Sequence, residues 1–82
     1  MADHTFHITI ASVGETQYSG EAISATFPGE SGIFTVLAHH EPFITTLKHG
    51  TIFLNAAGNE KREYEVTSGV VECADNTVVV LL

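Results

Sequence analysis

The stretch from Gly29 to Gly50 reads GESGIFTVLAHHEPFITTLKHG and decides the fold. It contains two short apolar runs, Ile33–Leu37 and Phe43–Leu47, with glycine or proline close to their ends. Runs of about five β-branched and aromatic residues between turn residues are typical of strands. Residues 38–42, AHHEP, separate the two runs. The stretch therefore predicts two strands joined by a shaped loop.

The remainder of the chain alternates between apolar and polar residues with a period of two. The alternating apolar sets are Phe6-Ile8-Ile10, Ile23-Ala25-Phe27, Ile52-Leu54 and Tyr64-Val66. This period is typical of strands with one face in a core and the other in water. Turn residues recur at short, regular intervals, a spacing that favours a β-sandwich or barrel. The sequence predicts one all-β domain over residues 1–82.

Three turns and one strand follow from local composition. The segment Ala56-Ala57-Gly58-Asn59-Glu60 predicts a hairpin tip, and Asp75-Asn76 predicts another. The pairs Pro28-Gly29 and Ser31-Gly32 predict a protruding turn. The final run, Val78–Leu82, is apolar at every position and predicts a strand covered on both faces.

The charge and the single cysteine exclude several classes of protein. The formal net charge is −7 with only three Lys and Arg residues, which argues against nucleic-acid binding. No apolar stretch approaches the roughly 20 residues needed to cross a bilayer, so no membrane insertion is expected. The start lacks the pattern of a signal peptide, so the chain is expected to remain where it is made. Cys73 is the only cysteine and is predicted to be a small core residue.

The sequence favours a binding surface over a catalytic or metal site. His39 and His40 are adjacent, and His4 and His7 are three residues apart, so in a strand each pair points to opposite faces. A structural zinc site usually adds cysteines or a second close pair. Neither a nucleophile elbow nor a phosphate-binding loop is present. We predict no catalytic residue, no metal and no cofactor, and we expect loop 38–42 to pack against a protein.

Several motifs in order resemble one known family. They are Ile10-Ala11-Ser12, Tyr18-Ser19-Gly20, the stretch Gly29–Gly50, Val66–Cys73 and Thr77–Leu81. Together they resemble the N-terminal β domain of the epsilon subunit of F-type ATP synthases, called delta in mitochondria. The resemblance implies a flattened sandwich of two antiparallel sheets. The family's C-terminal helical hairpin has no counterpart in these 82 residues, so the chain is expected to be one domain of a longer protein or a naturally short member.

The resemblance also implies a function and two interfaces. It implies a non-catalytic rotor subunit that couples the gamma subunit to the c-ring, at the cytoplasmic face of a bacterial inner membrane or, alternatively, the stromal side of a thylakoid membrane. The implied gamma-facing residues are Ser12, His40 and Thr45. The implied c-ring-facing residues are Glu30, Ser31, Gly32 and Ile33.

Two other functions stay open, and five positions depart from the family pattern. A free-standing β-sandwich could bind a small ligand or carbohydrate, although the chain lacks tryptophan, and a small enzyme subunit could use His40 as a base. Proline is common in the family at Ala38, glycine or asparagine at His39, alanine at Glu41 and glycine at Thr35, and several members carry glutamate at Ile33. Losing proline and glycine is expected to change the backbone shape of the loop.

Overall fold

The computed structural model describes residues 4–82, which consist of strands and the turns between them. The predicted all-β fold is confirmed over this range, and residues 1–3 of the predicted domain lie outside the described residues. The strands are β1 (Phe6–Ser12), β2 (Glu15–Gly29), β3 (Gly32–Leu37), β4 (Phe43–Leu47), β5 (Gly50–Ala56), β6 (Glu60–Val66), β7 (Gly69–Ala74) and β8 (Thr77–Leu81).

The strands form two layers that share β2. One layer has the order β1-β8-β7-β4, and the other has the order β3-β2-β5-β6. The first half of β2 pairs with β1, and its second half pairs with β3 and β5. The register of β2 against β5 shifts between Ala22 and Ser24, and such an irregularity bends a strand and increases its twist. This irregularity lies where one continuous strand passes from one layer to the other.

The predicted sandwich is confirmed, with one exception to the predicted antiparallel pairing. Strands β1 and β8 run parallel, with Ile8 opposite Val78 and Ile10 opposite Val80. Parallel strands need a long crossover rather than a tight turn, and here six other strands lie between them in the chain. Local sequence patterns carry no sign of such a distant pairing.

An apolar core fills the space between the layers. Each strand turns alternate residues inward, and in the described chain the fully buried side chains are all apolar. Cys73 is 2% exposed, which confirms it as a core residue, and burial raises the pKa of its thiol. The main cluster comprises Phe6, Ile8, Ile10, Ala22, Ala25, Phe27, Val36, Leu47, Ile52, Leu54, Val66, Val71, Cys73, Val78 and Val80.

Two of the predicted turns are confirmed. Ala56 pairs with Glu60 around a tight tip, as predicted. Ala74 pairs with Thr77, and the two residues between them, Asp75 and Asn76, have φ angles of 52° and 59°. Positive φ at both central residues is typical of the type I′ turn, which matches the twist of the strands that it joins.

Two local predictions are wrong. Pro28-Gly29 does not form a turn, because β2 continues through both residues and only Glu30-Ser31 makes the turn. Gly29 is needed for close packing instead, since a Cβ there would lie 2.7 Å from the Gly32 carbonyl oxygen. The last strand is not covered on both faces, because Leu81 is 56% exposed on the outer face.

Candidate functional site

The edges of β3 and β4 face each other across an open cavity at one side of the sandwich. The cavity measures ≈ 260 Å³ and is lined by Phe34, His40, Phe43 and Thr45. Phe34 is opposite the buried Phe27 on β2, and Phe43 and Thr45 alternate with exposed residues along β4. These side chains therefore point between the sheets, where the sandwich is open. We call these four residues the seam.

A row of aromatic rings connects the core to the seam. The ring of Phe27 stacks on that of Phe34 with centroids 5.2 Å apart. Phe34 meets Phe43 edge to face at 5.5 Å, and Phe43 meets His40 in the same way at 5.0 Å. Edge-to-face and offset stacked pairs are favourable arrangements that fix ring orientation. The row holds His40 at the mouth of the cavity.

The two adjacent histidines of the loop lie in different surroundings. Nδ1 of His40 donates to the Glu41 carbonyl oxygen at 2.8 Å. His39 has a φ of 64°, and its backbone N–H donates to Oδ1 of Asn76 at 2.7 Å. Glycine and asparagine adopt this left-handed conformation most easily, so the backbone keeps the shape that those residues favour even with a histidine in place.

The structure brings two of the three predicted gamma-facing residues together. His40 and Thr45 line the same cavity. Ser12 ends β1, and strands β8 and β7 separate β1 from β4 in the sheet. Its Oγ atom accepts a hydrogen bond from Nε2 of Gln17 at 3.3 Å. A partner that contacts all three residues would have to extend across this layer.

The predicted c-ring-facing residues form a turn that is fastened to β4. Glu30 donates its backbone N–H to the Thr46 carbonyl oxygen at 3.1 Å, and the Thr46 hydroxyl donates to Oε1 of Glu30 at 3.0 Å. Ser31 and Gly32 are exposed, and Ile33 is 77% exposed. The four residues Glu30–Ile33, which we call the tip, therefore protrude while their base is held in place.

Sequence reasoning missed the exposed apolar side chains of the layer β1-β8-β7-β4 and the two phenylalanines of the seam. Ile44 is 69% exposed and shares the outer face with Leu81. The period-two pattern of β4 could have assigned Ile44 outward, because Leu47 lies three positions away and is buried. Phe34 and Phe43 gave no such signal, since aromatic residues in a strand are usually core residues.

Histidine, cysteine, aspartate and glutamate side chains form no group of three or more that could hold a metal ion within residues 4–82. The same part of the chain has no helix long and apolar enough to cross a membrane.

Two twisted sheets over an apolar core, with an open aromatic seam and a fastened turn, define a small β-sandwich domain. Residues 5–82 match the family described as ATP synthase, Delta/Epsilon chain, beta-sandwich domain. The chain belongs to this family.

Curated relatives agree with this assignment. The ATP synthase epsilon chain of Delftia acidovorans is 35% identical over 78 residues, which cover 95% of this chain and 56% of the relative. That of Sulfurimonas denitrificans is 42% identical over 65 residues, which cover 79% of this chain and 50% of the relative. The chain thus spans about half the length of the curated relatives that it matches.

Solved structures confirm the fold. A chain in the Euglena gracilis mitochondrial ATP synthase structure, which contains OSCP, F1 and the c-ring, superposes with a TM-score of 0.89 at 20% identity. That match covers 99% of this chain and 52% of the solved one. A chain in the Tetrahymena thermophila central stalk and c-ring structure superposes with a TM-score of 0.77 at 16% identity, covering 92% and 60%.

Proposed function

We propose that this chain is the β-sandwich domain of a non-catalytic central-stalk subunit of an F-type proton-translocating ATP synthase. In this role it joins the gamma subunit to the c-ring, so that torque from proton flow reaches the catalytic sites. The observation that carries the proposal is the family match over residues 5–82. A close-packed sandwich suits a mechanical role, since such interiors resist deformation.

The gamma-facing site is proposed at the seam, with His40 and Thr45 at its centre and Ser12 as a separate contact on β1. The seam combines aromatic rings with a hydroxyl and an imidazole, a composition suited to packing against a protein surface. Its cavity of ≈ 260 Å³ is smaller than the roughly 300–1,000 Å³ typical of small-molecule sites. The composition of the seam therefore favours a protein partner there.

The c-ring-facing site is proposed at the tip. The tip includes the first two residues of β3, and loop 38–42, which contains His40, follows the last residue of the same strand. The carboxylate of Glu30 would favour encounter with basic c-subunit loops, and Ile33 would add an apolar contact. One rigid domain can thereby contact two partners at once. We place it on the cytoplasmic face of a bacterial inner membrane, or alternatively on the stromal side of a thylakoid membrane.

Binding to purified gamma subunit tests the gamma-facing site, with His39→Ala as the matched control for His40→Ala. Truncating a side chain at the centre of an interface costs more than about 1 kcal/mol, and truncating one at the rim costs far less. We expect His40→Ala to weaken gamma binding by at least that amount and His39→Ala to have little effect. Absence of gamma binding by the unmodified chain would refute the proposal, and equal effects of the two variants would refute the placement of His40.

Cross-linking in the assembled enzyme tests the tip. A cysteine at Ser31 is expected to form a disulfide with a cysteine in the polar loop of the c-subunit, because the tip protrudes and its base is held to β4. A cysteine at Asn59, on the β5–β6 turn, serves as the control and should not cross-link. Cross-linking of position 59 but not position 31 would show that the domain is docked in the opposite orientation.

A further inference from the structure

Strand β3 has one unpaired edge. Within the described chain it pairs only with β2, and it therefore ends the layer β3-β2-β5-β6. Its other side faces β4 across the seam, and β4 joins this layer only where Leu47 meets Gly29 of β2. An unpaired strand edge presents backbone donors and acceptors that another strand can use.

The pairing with β2 determines which backbone groups of β3 are free. Pro28 lies opposite Ile33, has no N–H, and uses its carbonyl to accept from the backbone N–H of Lys48 at 2.9 Å. The Pro28–Ile33 pair is therefore a non-hydrogen-bonded pair. Hydrogen-bonded and non-hydrogen-bonded pairs alternate along antiparallel strands. Thr35 and Leu37 consequently belong to the same class as Ile33, and all three direct their N–H and C=O groups to the free edge.

The free edge also lacks the features that usually block strand addition. Residues Gly32–Leu37 contain no charged side chain and no proline. Ile33 and Leu37 are 77% and 57% exposed, and Thr35 is exposed between them. Natural edge strands are commonly protected by lysine, proline, bulges or a covering segment.

We propose that the free edge of β3 is a strand-addition site for an extended segment of a protein partner, with basic residues at the ends of that segment. The added strand would bond to Ile33, Thr35 and Leu37, as in other β-augmentation complexes. Its inward side chains would lie beside Phe34 and reach the seam. The basic ends follow from charge, because the chain carries a net charge of −7, and Glu30 and Glu41 flank β3 in the sequence. The inference deepens the proposed function, since His40 and Thr45 belong to the same seam.

Amide hydrogen exchange with a defined peptide tests the proposal. The probe is a synthetic peptide of alternating valine and threonine with lysines at both ends. In the free chain, the amides of Ile33, Thr35 and Leu37 should exchange fast, while those of Phe34 and Val36, bonded to β2, should exchange slowly. Saturating peptide should slow the first three by at least about tenfold, as expected for new backbone hydrogen bonds.

Two variants separate the contribution of the Thr35 backbone N–H to peptide binding from that of the Thr35 side chain. In the backbone, Thr35→Pro removes an outward N–H, which an edge strand tolerates, and Thr35→Val keeps that N–H. Both lose the hydroxyl contact with Thr26 at 2.9 Å, so they are matched. Peptide affinity should fall about tenfold in Thr35→Pro and stay within about twofold in Thr35→Val, because only the first loses a backbone bond. Circular dichroism checks that both variants are folded, and the exchange pattern of the unmodified chain stands without them.

Three results would overturn the proposal. They are slow exchange at all β3 amides in the free chain, no protection at saturating peptide, and dimerisation of the chain through this edge, which would assign it to a second copy. Gamma binding that persists without any protection of β3 would leave the proposed function intact. A chain that binds the peptide at β3 but does not bind gamma would support the strand-addition site and refute the proposed function.

Discussion

The two edges of the layer β3-β2-β5-β6 differ in their chemistry. The β6 edge carries charged side chains at five of its seven positions, whereas the β3 edge carries none. The charged residues are Glu60, Lys61, Arg62, Glu63 and Glu65, and all are exposed. Charged side chains on an edge deter pairing with a further strand. One sheet therefore has one edge that is closed to partners and one that is open.

The charges of β6 matter more for preventing the addition of another strand than for folding stability. Arg62 Nη2 lies 2.8 Å from Oε2 of Glu60, and its guanidinium lies 5.1 Å from the centroid of the Tyr18 ring. Exposed ion pairs of this kind contribute at most about 1 kcal/mol. The β3 edge has aromatic packing in place of these charges, because the ring of Phe34 lies between those of Phe27 and Phe43. The β6 edge is therefore expected to tolerate substitution. The β3 edge is expected to depend on the packing of its aromatic side chain.

The largest expected effect follows from that difference. Phe34→Ala should lower the free energy of unfolding by about 3 kcal/mol, because it removes a ring that stacks on the core and leaves a cavity. Glu63→Ala on β6 is the control and should change the free energy by less than about 0.5 kcal/mol. Urea unfolding followed by circular dichroism measures both. Similar losses from the two substitutions would show that the edges do not differ in packing.

A second test removes three of the five charged side chains from the closed edge. The triple variant Lys61→Thr, Glu63→Thr, Glu65→Thr should self-associate at concentrations where the unmodified chain does not, since an edge with fewer charges is less protected against pairing. The expected loss of folding stability is small, within about 1 kcal/mol, because the residues are exposed. Sedimentation velocity over a concentration series measures association. A variant that remains monomeric at every concentration would show that charge is not what closes β6.

The smallest expected effect concerns the loop beside the open edge. His39→Gly should raise the free energy of unfolding by about 0.5–1 kcal/mol, because a non-glycine residue at a φ of 64° is strained. The bond from its backbone N–H to Asn76 is kept in the variant. Glycine at Ser68, on the β6–β7 turn, is the control and should give no gain. Destabilisation by His39→Gly would mean that the imidazole of His39 contributes contacts that offset the strain.

The strands could be predicted from the sequence because alternation reports directly which residues face a core. The extent of β2 could not, since Pro28-Gly29 has the composition of a turn, and the glycine is explained by the close approach of the Gly32 carbonyl oxygen and the Phe34 ring. The parallel pairing of β1 with β8 depends on contacts between opposite ends of the chain. The exposure of Leu81 could not be predicted either, because the sequence of an apolar run does not reveal whether another element covers its outer face.

The candidate site was predictable only in part. His40 and Thr45 could be proposed from the resemblance, but their common cavity with Phe34 and Phe43 depends on how β3 and β4 meet. The run of charges at residues 60–65 is plain in the sequence, yet its meaning depends on β6 being an edge. The free edge of β3 likewise depends on the carbonyl of Pro28 bonding to Lys48 and not to β3.

Hydrogen exchange of the chain, alone and bound to gamma subunit, tests the central claim most directly. We predict that gamma slows exchange at Ile33, Thr35, Leu37 and the backbone around His40 and Thr45, while the amides of β6 keep their rates. Protection of β6, or of the outer face around Ile44 and Leu81 with the seam unchanged, would contradict the account.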